Sequence, residues 1–121
     1  MSEKILMFGL DERQTELVRK IASNLRIKTA PIDKTMYECT LGMLAEGKGC
    51  PENLLKETQY GTLIVFCDVS DKHLDRILAR LRSENAAIDY KAVLTPSNRG
   101  WNVRKLYFEL ERERNSLVNG I

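Results

Sequence analysis

Histidine is almost missing from this chain of 121 residues: there is one, His73. Cysteine is sparse and odd in number, with residues at 39, 50 and 67. A structural zinc site needs closely paired ligands, and no Cys-x-x-Cys pair exists, so no metal is expected. The glycines spell no phosphate-binding loop. Gly47-Lys48-Gly49 lacks the spacing of a nucleotide P-loop and Gly9 stands alone, so no cofactor is expected either. Long apolar runs are also missing. The longest, Leu63-Ile64-Val65-Phe66-Cys67, falls far short of the ~18 residues a membrane span needs. The N-terminal Met-Ser-Glu-Lys lacks the apolar stretch of a secretory signal. An odd set of unpaired cysteines in such a chain reads as three reduced thiols in a cytoplasmic protein. Charge of one sign is not in excess. Residues 1–60 carry 9 basic and 9 acidic side chains, residues 61–121 carry 10 and 8, and the net charge is +2. A nucleic-acid binder concentrates basic residues in a patch, so this balance argues against one.

What remains is an ordinary globular composition, 43% hydrophobic and 30% charged. The length suits one compact domain over 1–121 with a core of its own. Ile5-Leu6-Met7-Phe8 reads as a strand covered on both faces and ending at Gly9. Asp11 with Gln14 forms a capping-box variant, and Leu17, Val18, Ile21 and Leu25 recur at helical spacing behind it. Ile27 to Ile32 reads as a second strand, placed at a sheet edge by Pro31. Cys39 to Leu44 suggests a short helix ending near Gly47, and a break follows through Pro51. Pro51 also suits the first position of a second short helix through Leu54 and Leu55.

The second half repeats the order. Leu63 to Cys67 is the clearest strand, Ser70 an N-cap, and Leu74, Ile77, Leu78 and Leu81 the stripe of a helix ending near Asn85. Tyr90 to Leu94 is a strand stopped by Thr95-Pro96, and Val103, Leu106, Tyr107 and Leu110 mark a last helix. The stripes start at Leu17 and Leu74, a shift of 57. Two strand–helix–strand–helix halves predict an α/β domain with a four-stranded, mainly parallel sheet in the order 2-1-3-4. Should residues 34–61 form only an irregular connection, the alternative is a ferredoxin-like α+β sheet.

In a parallel sheet, ligands bind beyond the carboxyl ends of the strands. Three loops would meet there: Gly9-Leu10-Asp11, Cys67 to Ser70, and Thr95 to Trp101. The candidate ligand-binding residues are therefore Asp11, Cys67, Ser70, Thr95, Asn98 and Trp101. Each also has a plain structural role. Asp11 and Ser70 serve as N-caps. Trp101 precedes the N-cap Asn102 and would pack on Leu106, as Val69 would on Leu74. A thiol at a helix N-terminus can be activated, but Asp68 beside Cys67 opposes the thiolate and a buried cysteine is a small hydrophobe. Asp68, Asp71 and Asp75 lack the spacing of a calcium loop. No catalytic residue is assigned, and the residues give no ground for an enzyme.

Leu63–Cys67, the Leu74 helix, and Lys91-Ala92-Val93-Leu94-Thr95-Pro96-Ser97-Asn98 with Trp101 resemble a small bacterial domain family of unknown function. Its members carry Ile-Val-Phe followed by Cys or Gly, then Lys-Ala-Val-Leu-Thr-Pro-Thr-Asn-x-x-Trp. The resemblance covers about residues 62–113. Ser97 stands where many relatives have threonine, and Asn102 where many have threonine or serine. The resemblance implies a bacterial cytoplasmic protein of this fold and transfers no catalytic residue.

The leading functional expectation is a non-catalytic module that binds a protein partner or itself as a homodimer. Its ground is the lack of a catalytic signature together with edge strands open to pairing. Exposed apolar surface on the last helix, such as Phe108, would favour it. A small-molecule sensor using the strand-end loops is the alternative, favoured by a concave pocket there. Thiol chemistry at Cys67 comes third.

Overall fold

The apolar run Lys4–Phe8 forms strand β1 and stops at Gly9, whose φ is +74°. A Cβ at Gly9 would lie 3.2 Å from the Gly61 carbonyl oxygen, so both the backbone conformation and the space select glycine. The next helix, α1 (Glu12–Asn24), begins with a complete capping box. Asp11 accepts from the Gln14 N–H at 2.7 Å, and the Gln14 side chain accepts from the Asp11 N–H at 3.0 Å. Strand β2 (Lys28–Ile32) follows, then a 3-10 turn (Lys34–Met36) and a five-residue helix, α2 (Leu41–Ala45). The second half holds β3 (Leu63–Cys67), α3 (Asp71–Ser83), β4 (Tyr90–Val93) and α4 (Val103–Asn119). Ser70 caps α3 and Asn102 caps α4, accepting from the Lys105 N–H at 2.8 Å. The computed structural model describes residues 3–48 and 60–119. The helix expected from Pro51 to Leu55 lies outside these residues. Among the described residues no helix is long and apolar enough to cross a membrane.

The strand order is β2-β1-β3-β4, as the sequence implies. Two of the three pairings are parallel, β1 with β2 and β3 with β4. The central pairing is not: β1 runs antiparallel to β3, with Leu6 opposite Val65. The sheet is mixed, mostly parallel with one antiparallel pair at its centre, so the mainly parallel expectation roughly fits. The ferredoxin-like alternative does not describe it, because each half returns its second strand directly beside its first. Ile32 and Leu63 both lie opposite Phe8 in register, so the chain leaves β2 and enters β3 at the same end of the sheet. A parallel β3 would need a connection running the full strand length, usually on a helix. Of the described part of this connection, only a 3-10 turn and the short α2 are helical.

The internal repeat is in register at 59 residues, not 57. The left-handed residues Gly9 and Asp68, and Arg26 and Asn85, are each 59 apart. So are the caps Asp11 and Ser70, and the buried pairs Val18 with Ile77 and Ala22 with Leu81. The stripe misleads by two residues because Leu17 and Leu74 flank the buried stripe and are only half-buried.

Residues of the central strands alternate between two cores. Ile5, Met7, Ile64 and Phe66 pack with α1 and α3. Leu6, Phe8, Leu63, Val65 and Cys67 pack on the other face with Tyr37, α2 and α4. Helices on both faces bury residues 5–8 of β1 and all of β3, which is why both read as unbroken apolar runs.

Both sheet edges are blunted. On β2 the Lys28 N–H points to β1, and by the period of two Thr29 and Pro31 face outward. Pro31 thus spends its missing donor at the edge, as expected. On β4 the Tyr90 and Leu94 N–H groups point to β3, so Asp89, Lys91 and Val93 face outward. Asn98 Nδ2 donates to the Val93 carbonyl at 3.0 Å, and Arg114 Nη2 to the Asp89 carbonyl at 3.1 Å. The edge strands are therefore poorly suited to pairing, which removes one ground of the interaction reading.

Candidate functional site

The antiparallel centre of the sheet splits the six candidate residues. Asp11 follows β1 and lies at one end of the sheet, while Cys67 and Ser70 follow β3 at the other. Thr95, Asn98 and Trp101 follow β4 and share the end of Cys67 and Ser70, since β3 and β4 are parallel. The three-loop constellation therefore loses its Asp11 loop.

The Thr95–Asn98 turn is built from its own side chains. Asn98 Oδ1 accepts from the Thr95 N–H at 2.8 Å, and Thr95 Oγ1 accepts from the Asn98 N–H at 3.1 Å. With its amide donated to Val93, the Asn98 side chain is 8% exposed and engaged at both ends. The turn then presents two carbonyls to α2. Leu41 N–H donates to the Trp101 carbonyl at 2.9 Å and Gly42 N–H to that of Arg99 at 3.0 Å, while Thr40 Oγ1 accepts from Met43 N–H. Lys4 Nζ donates to the Ala45 carbonyl at the other end of α2. A five-residue helix is not stable alone, and these contacts satisfy its orphan groups. Gly42 permits the approach, since a Cβ there would lie 3.2 Å from the Arg99 carbonyl and 2.8 Å from its Cγ. Trp101 is half-buried against the same core as Leu106, with the Lys105 ammonium 5.1 Å from its ring centre.

Cys67 is a free thiol at 2% exposure, the last core residue of β3. Burial, seconded by Asp68, pushes its pKa up to about 11, so it is neither accessible nor ionised near neutrality. Cys39 is disulfide-bonded, so the expectation of three reduced thiols does not hold. Ser70 is engaged as a cap, accepting from the His73 N–H at 3.2 Å. The Ser70 N–H donates to the Glu3 carboxylate, which also meets His73 Nδ1 at 2.8 Å. The Ser70 N–H bond, with help from His73, holds Glu3 below the usual carboxylate range despite some desolvation. Among the described residues no three His, Cys, Asp or Glu side chains converge to hold a metal.

A wide concavity lies elsewhere, along α4 where the chain enters β3 and β4. It measures about 890 Å³. Tyr60, Gly61, Asp89 and Tyr90 form one side, and Arg104, Lys105, Tyr107, Phe108, Glu111 and Arg114 bring α4 to the other. All four tyrosines of the chain meet there or just beneath. Tyr60 stacks on Tyr107 with centroids 4.7 Å apart, Tyr37 lies 5.6 Å from Tyr60, and Tyr90 meets Tyr107 edge-on at 6.1 Å. The Tyr107 hydroxyl donates to the Gly61 carbonyl at 2.7 Å, and burial raises its pKa far above the ordinary value. Burial raises Tyr37 as well. The Tyr37 and Tyr107 hydroxyls sense one another, yet no bond of ordinary geometry joins them, and Tyr37 Oη has no hydrogen-bond partner among the described residues. Arg114 stacks 4.7 Å from the Tyr90 ring centre, and Arg104 pairs with Glu38. At the rim stands Phe108, 62% exposed.

Phe108 was legible as a possible exposed apolar residue. Tyr60, Tyr90, Tyr107 and Arg114 were not identified as site residues from the sequence, because they come from three separate parts of the chain and only the fold brings them together. The concentration of aromatic content in tyrosine was the available signal.

No curated protein and no solved structure matches this chain. A family model does match its second half, in agreement with the resemblance over nearly the same span. Residues 62–117, which carry β3, α3, β4 and most of α4, match the family described as Domain of unknown function (DUF3783).

Proposed function

We propose that this protein is a non-catalytic interaction module whose binding face is α4 and the tyrosine-lined cleft beside it. The observation that carries the reading is Phe108. A phenyl ring left 62% exposed at the rim of a cleft of about 890 Å³ is apolar surface held ready for a partner. The surroundings have the anatomy of an interface, with aromatic rings at the centre and charges of both signs at the rim. Tyr90, packed on the buried Tyr107, brings apolar area with little side-chain entropy to lose. Arg104, Lys105, Glu109 and Glu111 form the polar border. Pairing through a sheet edge, the other route to a partner, is disfavoured by Pro31, Asn98 and Arg114.

The test is photo-crosslinking in the producing cell, with a benzophenone amino acid placed at Phe108 and, as a control, at Arg26 on the opposite face of the sheet. Crosslinked protein bands specific to position 108 are expected. Equal or absent crosslinking at the two positions refutes the reading.

A further inference from the structure

We infer that residues 3–46 are a diverged second copy of the unit matched at residues 62–117, and that the two copies meet through β1 and β3 as the subunits of a two-fold dimer do. The association surface is the inner edge of β3, and the partner it fits is another copy of its own unit. This inference is independent of the α4 cleft.

The two halves coincide element by element. β3 and α3 have the bounds of β1 and α1 shifted by 59 residues, a five-residue strand and a thirteen-residue helix in each half. The turn out of each helix is the same: Ile27 N–H donates to the Ala22 carbonyl and Ala86 N–H to that of Leu81, both at 2.9 Å. Three more residues then separate α3 from β4, and the shift becomes 62. β2 and β4 enter the sheet by one bond in common, Lys28 N–H to the Glu3 carbonyl and Tyr90 N–H to that of Thr62. α2 and α4 follow the caps Thr40 and Asn102, each accepting from the N–H three residues on.

The register makes the arrangement two-fold. Leu6 lies opposite Val65, its own equivalent. About this pair the facing is reciprocal: Lys4 faces Cys67, the equivalent of Phe8, and Phe8 faces Leu63, the equivalent of Lys4. Such reciprocity defines a contact between like surfaces. A second pair of equivalents also meets itself, since Thr40 and Asn102 form an antiparallel bridge. One encounter lies in the sheet and the other at the helix starts, and repetition of element order alone produces neither. The copies have diverged at the caps. Gln14 closes the box of Asp11, whereas the Ser70 N–H turns past His73, the equivalent of Gln14, to Glu3 of the other half. Either unit alone would leave the inner edge of an apolar strand unpaired, which invites association. Between two second halves in this register Leu63 would face Cys67 and Val65 would face Val65, an apolar seam throughout.

The test is made on the full chain, carrying a specific protease site with Gly-Ser flanks within residues 52–59 and cut after folding. Cys39 and Cys50 then both stay in the first fragment. The halves are expected to remain together one to one, with a melting midpoint that now rises with concentration, as for a dimer. Unfolded in urea and refolded together, they should also give a homodimer of the second half, read by native mass spectrometry. Its register is read with cysteines in a Cys67→Ala background under oxidised glutathione. Val65→Cys should link two second halves, because residue 65 meets itself. Leu63→Cys should not, because its own copy lies four residues along the strand, about 13 Å away and beyond the reach of a disulfide. The homodimer mass needs no variant, so a variant that fails to fold does not shield the inference. Second halves found only with first halves, equal linking at 63 and 65, or fragments that separate and unfold on cutting overturn it.

Discussion

Replacing Asn98 by alanine removes two hydrogen bonds from a buried side chain, the acceptance from Thr95 N–H at 2.8 Å and the donation to the Val93 carbonyl at 3.0 Å. Each is worth about 1 kcal/mol net. The groups left behind belong to exposed residues and can be rehydrated, so the penalty for orphaned partners stays at the low end of its range. The Thr95 Oγ1 bond to the Asn98 main chain survives the substitution. A loosened turn also weakens its grip on α2 through the Arg99 and Trp101 carbonyls. The expected loss is about 2–3 kcal/mol, or a fall in Tm of roughly 8–12 °C for a domain of this size. Urea unfolding followed by far-ultraviolet circular dichroism measures it directly. Asn98→Asp separates the two bonds. It keeps the acceptor for Thr95 but turns a carboxylate toward the Val93 carbonyl, so at neutral pH it should be no more stable than the alanine variant. A change below about 0.5 kcal/mol for Asn98→Ala would mean that the turn stands without its side chain and that the reasoning is wrong.

Three further outcomes follow from the same contacts. Trp101→Ala should cost about 2 kcal/mol, less than the ~3 or more of a fully buried tryptophan because part of the side chain is already in water; an unchanged thermal melt would mean that the ring packs on nothing. Native Cys67 should react slowly with a thiol reagent at pH 7. Because its folded pKa is raised from 9.0 to about 11, its contribution to stability should be intact below pH 9 and lost as pH rises through that window. Cys67→Ala should flatten that alkaline loss, and fast labelling of the native thiol near neutrality would contradict its burial. Glu3 is depressed by the Ser70 N–H and His73, so its contribution is present above its ordinary value of 4.5 and lost as pH falls below it; Glu3→Gln should shrink the acid-side decline in a pH series of melts, and an identical decline would show the contact to be idle.

The match of residues 62–117 to a family of unknown function covers the half of the chain that holds the Thr95–Trp101 turn. The structure supplies a reason for that string of residues that involves no ligand. Asn98 closes the turn and covers the edge of β4, while Arg99 and Trp101 offer their carbonyls to α2. A polar motif conspicuous in a sequence is here engaged in holding the fold together.

Local chemistry was legible because it depends on neighbours in the chain. The capping box at Asp11 and Gln14, the caps Ser70 and Asn102, the strand Leu63–Cys67 and the edge position of Pro31 all follow from spacing and from one or two side chains. The strand order was legible too, since two like halves that each return beside their own first strand leave few arrangements. The direction of β3 against β1 was not. A strand covered on both faces reads the same in either direction, and its sense is decided by where the connection from β2 brings the chain back. That single reversal sent Asp11 to the far end of the sheet from Cys67 and removed the Asp11 loop from the site drawn from strand-end loops. It also set the entrances of β3 and β4 beside α4, where Tyr60, Tyr90 and Tyr107 stack into one wall. Those rings are far apart in sequence, and only tertiary packing could bring them to the side of Phe108.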